Sequence, residues 1–167
     1  MRTRQILNPA LAEAVARLGH GDRVAVTDAG CPIPDGVRRV DLAVDYGIPS
    51  VPQVLTVLLR HVLAEHLTLS EELREFNPHG YTAIQEAFRG SGATLAITPH
   101  DHVMTELIPT AKLVVRSGDF TPWGNLVFVA STEPYAWFPD EEVARGRVMP
   151  EAYRERIARM EANELPS

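Results

Sequence analysis

Short runs of β-branched and apolar residues alternate with helical patterns along most of this chain, and this alternation constrains the fold most strongly. Five runs have the length and residue types of strands: 23–27, 37–44, 92–97, 112–116 and 125–130. Three longer segments carry apolar residues at helical spacing: 9–18, 51–60 and 70–89. Strands that alternate with helices predict an α/β domain with helices on both faces of a sheet.

Several helix ends are visible in the sequence. Asn8 followed by Pro9 is typical of a helix start, and Gly19 is a good left-handed terminator, so a helix should end just before His20. Asn77 and Pro78 should interrupt the 70–89 helix. Residues 61–69 alternate in a way that fits either an extension of the preceding helix or a strand, and 103–107 should form one or two helical turns.

Size and composition exclude several classes of protein. The chain has 167 residues, 45% of them hydrophobic and 23% charged, which fits one folded domain. A net charge of −6 disfavours binding to a phosphate backbone, so we expect no nucleic-acid partner. The amino-terminal residues lack the apolar run of a signal peptide, and the longest apolar stretch, 51–59, is too short to span a membrane. We therefore expect a cytoplasmic protein without a membrane partner.

Residues 131–167 differ in character from the rest. They contain many charges and few strand formers, and residues 150–160 have the spacing of an amphipathic helix. We interpret 1–130 as the domain and 131–167 as a carboxyl-terminal extension, partly helical, that packs on the domain or on a neighbouring subunit.

Polar residues follow several of the predicted strands, where ligands of α/β sheets usually bind. Asp28 follows the first strand, His100 follows the third, and His20 lies at the end of the helix that leads into the first strand. One carboxylate and two histidines near one sheet edge can form an acid/base site. The alternatives are structural: a solvated turn residue for His20 and a turn cap for Asp28.

Signals for metals, nucleotides and nucleophiles are missing. His100 and His102 invite a metal hypothesis, but the sequence offers no third ligand nearby, so we expect no metal. The glycine-rich patterns of nucleotide sites and the Gly-x-Ser-x-Gly elbow are absent. The single cysteine, Cys31, cannot form an internal disulfide and fits a small buried position. What remains is acid/base chemistry without a cofactor.

Nine short motifs follow one another along residues 1–130: Leu18-Gly19-His20-Gly21-Asp22, Asp28-Ala29-Gly30-Cys31-Pro32-Ile33-Pro34, Asp41-Leu42-Ala43, Gly47-Ile48-Pro49-Ser50, Gln53-Val54-Leu55, Asn77-Pro78, Thr98-x-His100, Val115-Arg116-Ser117-Gly118 and Gly124-Asn125. In this order, the motifs resemble those of the D-ribose pyranase and fucose mutarotase family. The run from Asp28 to Pro34 resembles the ribose branch in particular.

The resemblance implies a three-layer α/β/α fold with a mixed sheet, and it favours a strand for residues 61–69. It implies a proton-donor role for His20 and sugar-binding roles for Asp28, His100 and the triplet Trp123-Gly124-Asn125. It also implies a homo-oligomer, a ring of identical subunits such as a pentamer or decamer, with sites near subunit contacts. Trp123 departs from the family, in which this position is commonly tyrosine, and the extension exceeds the usual family length.

The implied reaction interconverts the pyranose and furanose forms of a free monosaccharide, most simply D-ribose, by ring opening and closing. General acid/base groups suffice for this, so no cofactor is expected. A fucose-type mutarotase and a non-catalytic sugar-binding protein associated with sugar uptake remain as alternatives.

Overall fold

The computed structural model describes residues 5–167, in which six strands form one mixed sheet. The strands are β1 (Arg23–Thr27), β2 (Arg39–Asp41), β3 (Leu63–Ser70), β4 (Thr94–Thr98), β5 (Leu113–Arg116) and β6 (Leu126–Ser131). Their order across the sheet is β2-β5-β1-β6-β3-β4. Strand β6 is antiparallel to both of its neighbours, β1 and β3, whereas the other pairs are parallel.

Eight helices and two further helical turns are formed by the described residues. The helices are α1 (Pro9–Ala16), α2 (Val51–Leu58), α3 (Glu71–Phe76), α4 (Pro78–Ala87), α5 (His100–His102), α6 (Pro134–Trp137), α7 (Asp140–Ala144) and α8 (Glu151–Glu161). The turns Val103–Leu107 and Ile108–Thr110 carry the chain from α5 towards β5. Among residues 5–167, no helix combines the length and apolar character needed to cross a membrane.

Side-chain caps explain where the first helices begin. The Asn8 carboxamide oxygen accepts a hydrogen bond from the Leu11 amide at 3.0 Å, and Pro9 follows it. Ser50 and Gln53 form a reciprocal capping box at the start of α2. Asn77 ends α3 and caps α4, so the predicted interruption at Asn77-Pro78 is confirmed.

The core lies on both faces of the sheet, which makes the fold a three-layer α/β/α arrangement. Alternate residues of β1 point to opposite sides, so Val24 and Val26 contact the helical layer of α1, α2 and α4, whereas Ala25 contacts the opposite layer. The opposite layer contains Val103 and Ile108 from the helical turns. The predicted fold class is therefore confirmed.

Some predicted boundaries were wrong. Strand β2 spans three residues instead of the predicted 37–44, because the chain turns away after Asp41 and forms a turn held by the Asp45–Ile48 bridge. Helix α1 ends at Ala16, and the left-handed glycine of this turn is Gly21, with φ of 85°, not Gly19. The ambiguous segment 61–69 is largely strand, since β3 pairs with both β4 and β6.

Candidate functional site

Two opposite edges of the sheet carry the predicted functional residues. We call the edge where β1 begins the amino edge and the edge where β1 ends the carboxyl edge. Because β6 runs against β1, it begins at the carboxyl edge, next to Asn125, and ends at the amino edge with Ser131. His20 precedes β1 and therefore lies at the amino edge, whereas Asp28 follows β1 and lies at the carboxyl edge.

The prediction that His20, Asp28 and His100 share one sheet edge is therefore wrong for His20. Strand β1 has five residues, which separate its ends by roughly 16 Å at about 3.3 Å per residue. A histidine and an aspartate side chain cannot bridge that length through the strand between them. Within one chain, Asp28 does not orient His20.

His20 instead lies beside a carboxylate and a hydroxyl. Its Nδ1 is 3.8 Å from the Glu65 carboxylate and 3.4 Å from the Ser131 hydroxyl. The Ser131 hydroxyl also lies 2.8 Å from Glu65 Oε2. The His20 side chain is 37% exposed, so its ring is partly open to solvent while one nitrogen faces the protein. This arrangement suits an imidazole that exchanges protons through its other nitrogen, Nε2.

At the carboxyl edge, Asp28 and Asn125 form a reciprocal pair. The Asn125 carboxamide donates to the Asp28 carboxylate at 2.8 Å, and the Asn125 oxygen accepts from the Asp28 amide at 3.0 Å. A second Asp28 oxygen accepts from the Gly30 amide at 2.8 Å. Asn125 is buried and Asp28 is half-buried. The structure thus brings together two of the predicted sugar-binding residues, of which Asp28 is the more exposed.

His100 lies at the same edge, at the end of strand β4. Its amide donates to Glu72 at 2.8 Å, which fixes the start of α5 against α3. Its ring Nδ1 is buried and has no hydrogen-bond partner among residues 5–167. A buried nitrogen without a partner is costly, so this atom can accept or donate a hydrogen bond to a bound molecule. Strands β6 and β3 lie between β1 and β4, so Asp28 and His100 are about three strand spacings apart, roughly 14 Å.

Trp123 and Gly124 belong to the loop that leads into β6. Trp123 has a left-handed backbone, with φ of 56°, and its ring packs against Phe76 with centroids 5.2 Å apart. Gly124 is buried and lines a cleft of about 550 Å³ between this loop and helices α2 and α4. The backbone of Gly124 lies close to Thr121, since a Cβ at position 124 would be 3.0 Å from the Thr121 carbonyl oxygen. A sugar-stacking role for Trp123 stays a prediction.

Buried polar side chains brace this loop. Asp119 accepts from the Val51 amide at the start of α2 at 2.8 Å and from the Thr121 amide at 2.8 Å. Ser117 donates to the Thr27 carbonyl at 2.7 Å. These contacts tie the ends of β1 and β5 to α2.

Cys31 is buried beside the carboxyl edge, as predicted. Burial raises the pKa of its thiol from 9.0 to about 11, and the nearby Asp28 charge adds to this effect. The thiol is therefore neutral near pH 7 and is a poor nucleophile. Within residues 5–167, no group of three or more His, Cys, Asp or Glu side chains has the geometry to hold a metal ion.

Sequence reasoning missed the neighbours of His20. Glu65, Ser131, Trp137 and Arg156 all lie around its ring or its carboxylate partner. Glu65 sits in the segment whose structure was ambiguous, and Trp137 and Arg156 lie in the extension. The alternation of 61–69 is the one sequence signal that could have placed Glu65 on a strand next to β6.

Comparison with known proteins assigns the chain to a family. Residues 1–132 match the RbsD / FucU transport protein family. The chain is 36% identical over 156 residues to D-ribose pyranase 2 of Rubrobacter xylanophilus, and the alignment covers 93% of this chain and 97% of the relative. It is 37% identical over 157 residues to D-ribose pyranase 1 of Streptomyces griseus, and this alignment covers 94% of this chain and 100% of the relative. Both alignments extend into the carboxyl-terminal extension.

Solved structures agree with this assignment. Bacillus subtilis RbsD complexed with D-ribose superposes with a TM-score of 0.73 and 32% identity, over 80% of this chain and 99% of that one. The fucose mutarotase of Streptococcus pneumoniae, complexed with L-fucose, has a TM-score of 0.61 at 14% identity, over 76% of this chain and 94% of that one. The latter likeness concerns the fold alone. The sequence match, the identities and the shared fold together show that this chain is a member of the RbsD / FucU family.

Proposed function

We propose that this protein is a cytoplasmic sugar isomerase that interconverts the pyranose and furanose forms of D-ribose without a cofactor. Relatives named D-ribose pyranase align with more than nine-tenths of the chain, and the ribose-bound RbsD shares its fold. The observation in the structure that carries the proposal is His20, a partly exposed imidazole with Nδ1 turned to Glu65 and Ser131. It is equipped for proton transfer at Nε2.

Apart from breaking one C–O bond and forming another, the chemistry requires only proton transfers. In ring opening, the bond between C1 and the ring oxygen breaks, the ring oxygen takes a proton, and the anomeric hydroxyl loses one to give the aldehyde. In closing, the hydroxyl on C4 attacks C1 and loses its proton, while the carbonyl oxygen regains one. We assign His20 as the donor to the ring oxygen. An unperturbed histidine has both protonation states available near neutral pH.

Sugar binding is assigned to the carboxyl edge. Asp28 and Asn125 would hold sugar hydroxyls, and their pairing with each other fixes both side chains before the sugar binds. His100 would bond another hydroxyl through its unpartnered Nδ1. Trp123 and the backbone at Gly124 would complete the site.

The two edges lie at opposite ends of β1, which limits how one sugar can contact residues of both. If His20 and Asp28 act on one sugar molecule, they must come from different subunits, because β1 separates them within one chain. We therefore propose a homo-oligomer in which the amino edge of one subunit meets the carboxyl edge of the next. A head-to-tail contact of this kind forms a ring when the rotation between neighbours closes, and the family resemblance implies a pentameric or decameric ring.

A subunit-mixing experiment tests both parts of the proposal. Exchange between pyranose and furanose signals of ribose is measured by saturation-transfer NMR for the wild type, His20→Ala and Asp28→Ala. We expect each variant alone to be inactive. A mixture unfolded and refolded together should regain about a quarter of the wild-type rate, because that fraction of shared sites receives both intact residues.

Each failure has its own meaning. A wild type that shifts ribose signals without speeding their exchange would show a non-catalytic binding protein. Exchange of L-fucose but not of ribose would show a fucose-type mutarotase. Active wild type with no recovery in the mixture would mean that His20 and Asp28 do not share a site between subunits. His61→Ala is the matched control, since His61 is an exposed histidine on the loop after α2.

A further inference from the structure

The carboxyl-terminal extension docks at the amino edge, next to His20. Arg156 of α8 donates to the Ala64 carbonyl at 3.0 Å, and Arg159 donates to the Gly92 carbonyl at 3.1 Å. The Leu95 amide donates to the carbonyl of Ser167 at 3.1 Å. These bonds attach α8 and the last residues to strands β3 and β4 beside the cleft that contains His20.

Among the described side chains of the extension, Arg156 is the most buried charged group. Its side chain is only 5% exposed, and burial lowers its pKa while the nearby Glu65 carboxylate opposes this shift. Burying a guanidinium is costly unless its hydrogens are bonded. Arg156 bonds Ala64 through one nitrogen and the Ser131 hydroxyl through another, at 2.6 Å, and it lies 3.9 Å from Glu65.

The bond from Arg156 determines which way the Ser131 hydroxyl points. A hydroxyl has one hydrogen and two lone pairs. Arg156 occupies one lone pair of Ser131, and the Ser131 hydrogen is best placed towards Glu65 Oε2 at 2.8 Å, since a carboxylate is the strongest acceptor in reach. The second lone pair then faces His20 Nδ1 at 3.4 Å.

Both groups that face Nδ1 are therefore acceptors. Glu65 presents a carboxylate at 3.8 Å and Ser131 presents a lone pair at 3.4 Å. Acceptors on one side of an imidazole favour a hydrogen on that nitrogen, which leaves the lone pair on the other. Trp137 holds the ring itself, because its indole meets the His20 ring edge-on with centroids 4.8 Å apart, and it packs in turn against Tyr153 of α8.

We propose that Arg156, acting through Ser131 and Glu65, and Trp137, acting through ring contact, are positioning residues that keep the hydrogen of neutral His20 on Nδ1. Nε2 then takes up a proton, and the imidazolium so formed donates that proton to the ring oxygen. The extension thereby completes the acid/base site of its own chain. The expected effect on kcat rests on the proposed function, whereas the expected effect on the His20 tautomer does not. The cleft of about 280 Å³ at this site is also lined by His66, Glu155 and Arg159.

The tautomer of His20 is the direct test. Long-range proton–nitrogen NMR spectra of protein labelled with ¹⁵N-histidine distinguish the two neutral tautomers, and His20→Gln assigns the His20 signal among the six histidines. We expect the wild type to carry the hydrogen on Nδ1. Arg156→Met should move His20 towards the Nε2-protonated form, which is the usual preference in water, and Arg156→Lys should restore part of the wild-type signal.

Kinetics supply the second readout. Loss of such a supporting group should lower kcat for ribose exchange about tenfold, as it does where a metal-bound histidine loses the group that orients it. KM should stay nearly unchanged, because Arg156 bonds Ser131 and Ala64 rather than the residues assigned to sugar binding. Arg154→Met is the matched control. It removes the same charge from the same helix, but Arg154 is exposed and pairs with Glu151, so we expect wild-type kcat and tautomer.

Ser131→Ala keeps the test decisive if Arg156→Met fails to fold, since it removes the hydroxyl and leaves the arginine and its bond to Ala64. The same tautomer change and the same fall in kcat are expected. The proposal is overturned if Ser131→Ala and the folded Arg156 variants keep the wild-type tautomer. A wild type that does not exchange ribose at all would defeat the proposed function, while the tautomer spectra would still decide this proposal.

Discussion

Burial of a single residue at the carboxyl edge, Cys31, makes the stability of the fold depend on pH. Because burial raises the pKa of its thiol from 9.0 to about 11, the folded protein binds this proton more tightly than the unfolded chain does. The unfolded thiol ionises first as pH rises, so the stability contribution is complete below pH 9 and is lost between pH 9 and 11. The loss amounts to about 2 to 3 kcal/mol for two pKa units.

The prediction is measured by urea unfolding of the wild type and Cys31→Ala at several pH values. We expect the free energy of unfolding of the wild type to fall more steeply than that of the variant between pH 9 and 11. The difference between the two curves isolates the thiol, because the two proteins share every other side chain. Parallel curves would contradict a neutral, buried Cys31.

Among the elements, the turn between β2 and α2 depends on Gly118 after β5. The Gly118 amide donates to the Pro49 carbonyl at 2.9 Å, and its carbonyl accepts from the Gly47 amide at 2.7 Å. A Cβ at position 118 would lie 2.3 Å from the Ile48 carbonyl oxygen and 2.7 Å from that of Asp45. Both neighbours are backbone atoms, so the turn itself would have to move.

We predict that Gly118→Ala lowers the free energy of unfolding by about 1 to 3 kcal/mol, the usual cost of inserting an atom into a packed site. Gly19→Ala is the control, because a Cβ there meets only the Asp22 side chain at 3.7 Å. Its effect should stay within about 0.5 kcal/mol. Equal urea midpoints for the two variants would show that the turn yields easily to the added methyl group.

At the scale of the whole molecule, an exposed aromatic pair marks the carboxyl edge. Tyr46 and Phe120 stack with centroids 4.4 Å apart, although Tyr46 is 75% and Phe120 is 52% exposed. Val44 and Ile48 on the same turn are also exposed. Apolar groups clustered in this way are typical of a contact between proteins, and the proposed ring offers a second copy of this chain as the partner.

We predict that light scattering gives a particle several times the 18.4 kDa mass of one chain. Tyr46→Glu combined with Phe120→Glu should reduce that mass and abolish ribose exchange while circular dichroism stays that of a folded protein. Val148→Glu is the control, since Val148 is an apolar residue of the extension that is 77% exposed. A wild type that scatters as a single chain would contradict both the oligomer and a site shared between subunits.

The amino-acid sequence by itself determined the local structure and the family. Helix starts at Asn8 and Ser50 depend on bonds between residues three apart, which a sequence displays directly. The alternation of strands with helices was enough for the fold class, and ordered motifs were enough for the family resemblance. The local pattern wrongly placed the left-handed residue at Gly19. Gly19 and Gly21 both suit this turn, and only Gly21 has a positive φ.

The tertiary structure decided which residues meet. Asp28 reaches Asn125 across 97 residues and Ser131 reaches His20 across 111, and both meetings follow from the antiparallel direction of β6, which no local pattern specifies. The burial of Arg156 beside Glu65 was equally invisible, since a charged residue on an amphipathic helix is normally solvated. Long-range pairing is a property of the whole packed sheet, so the residues around His20 became apparent only once the chain was folded.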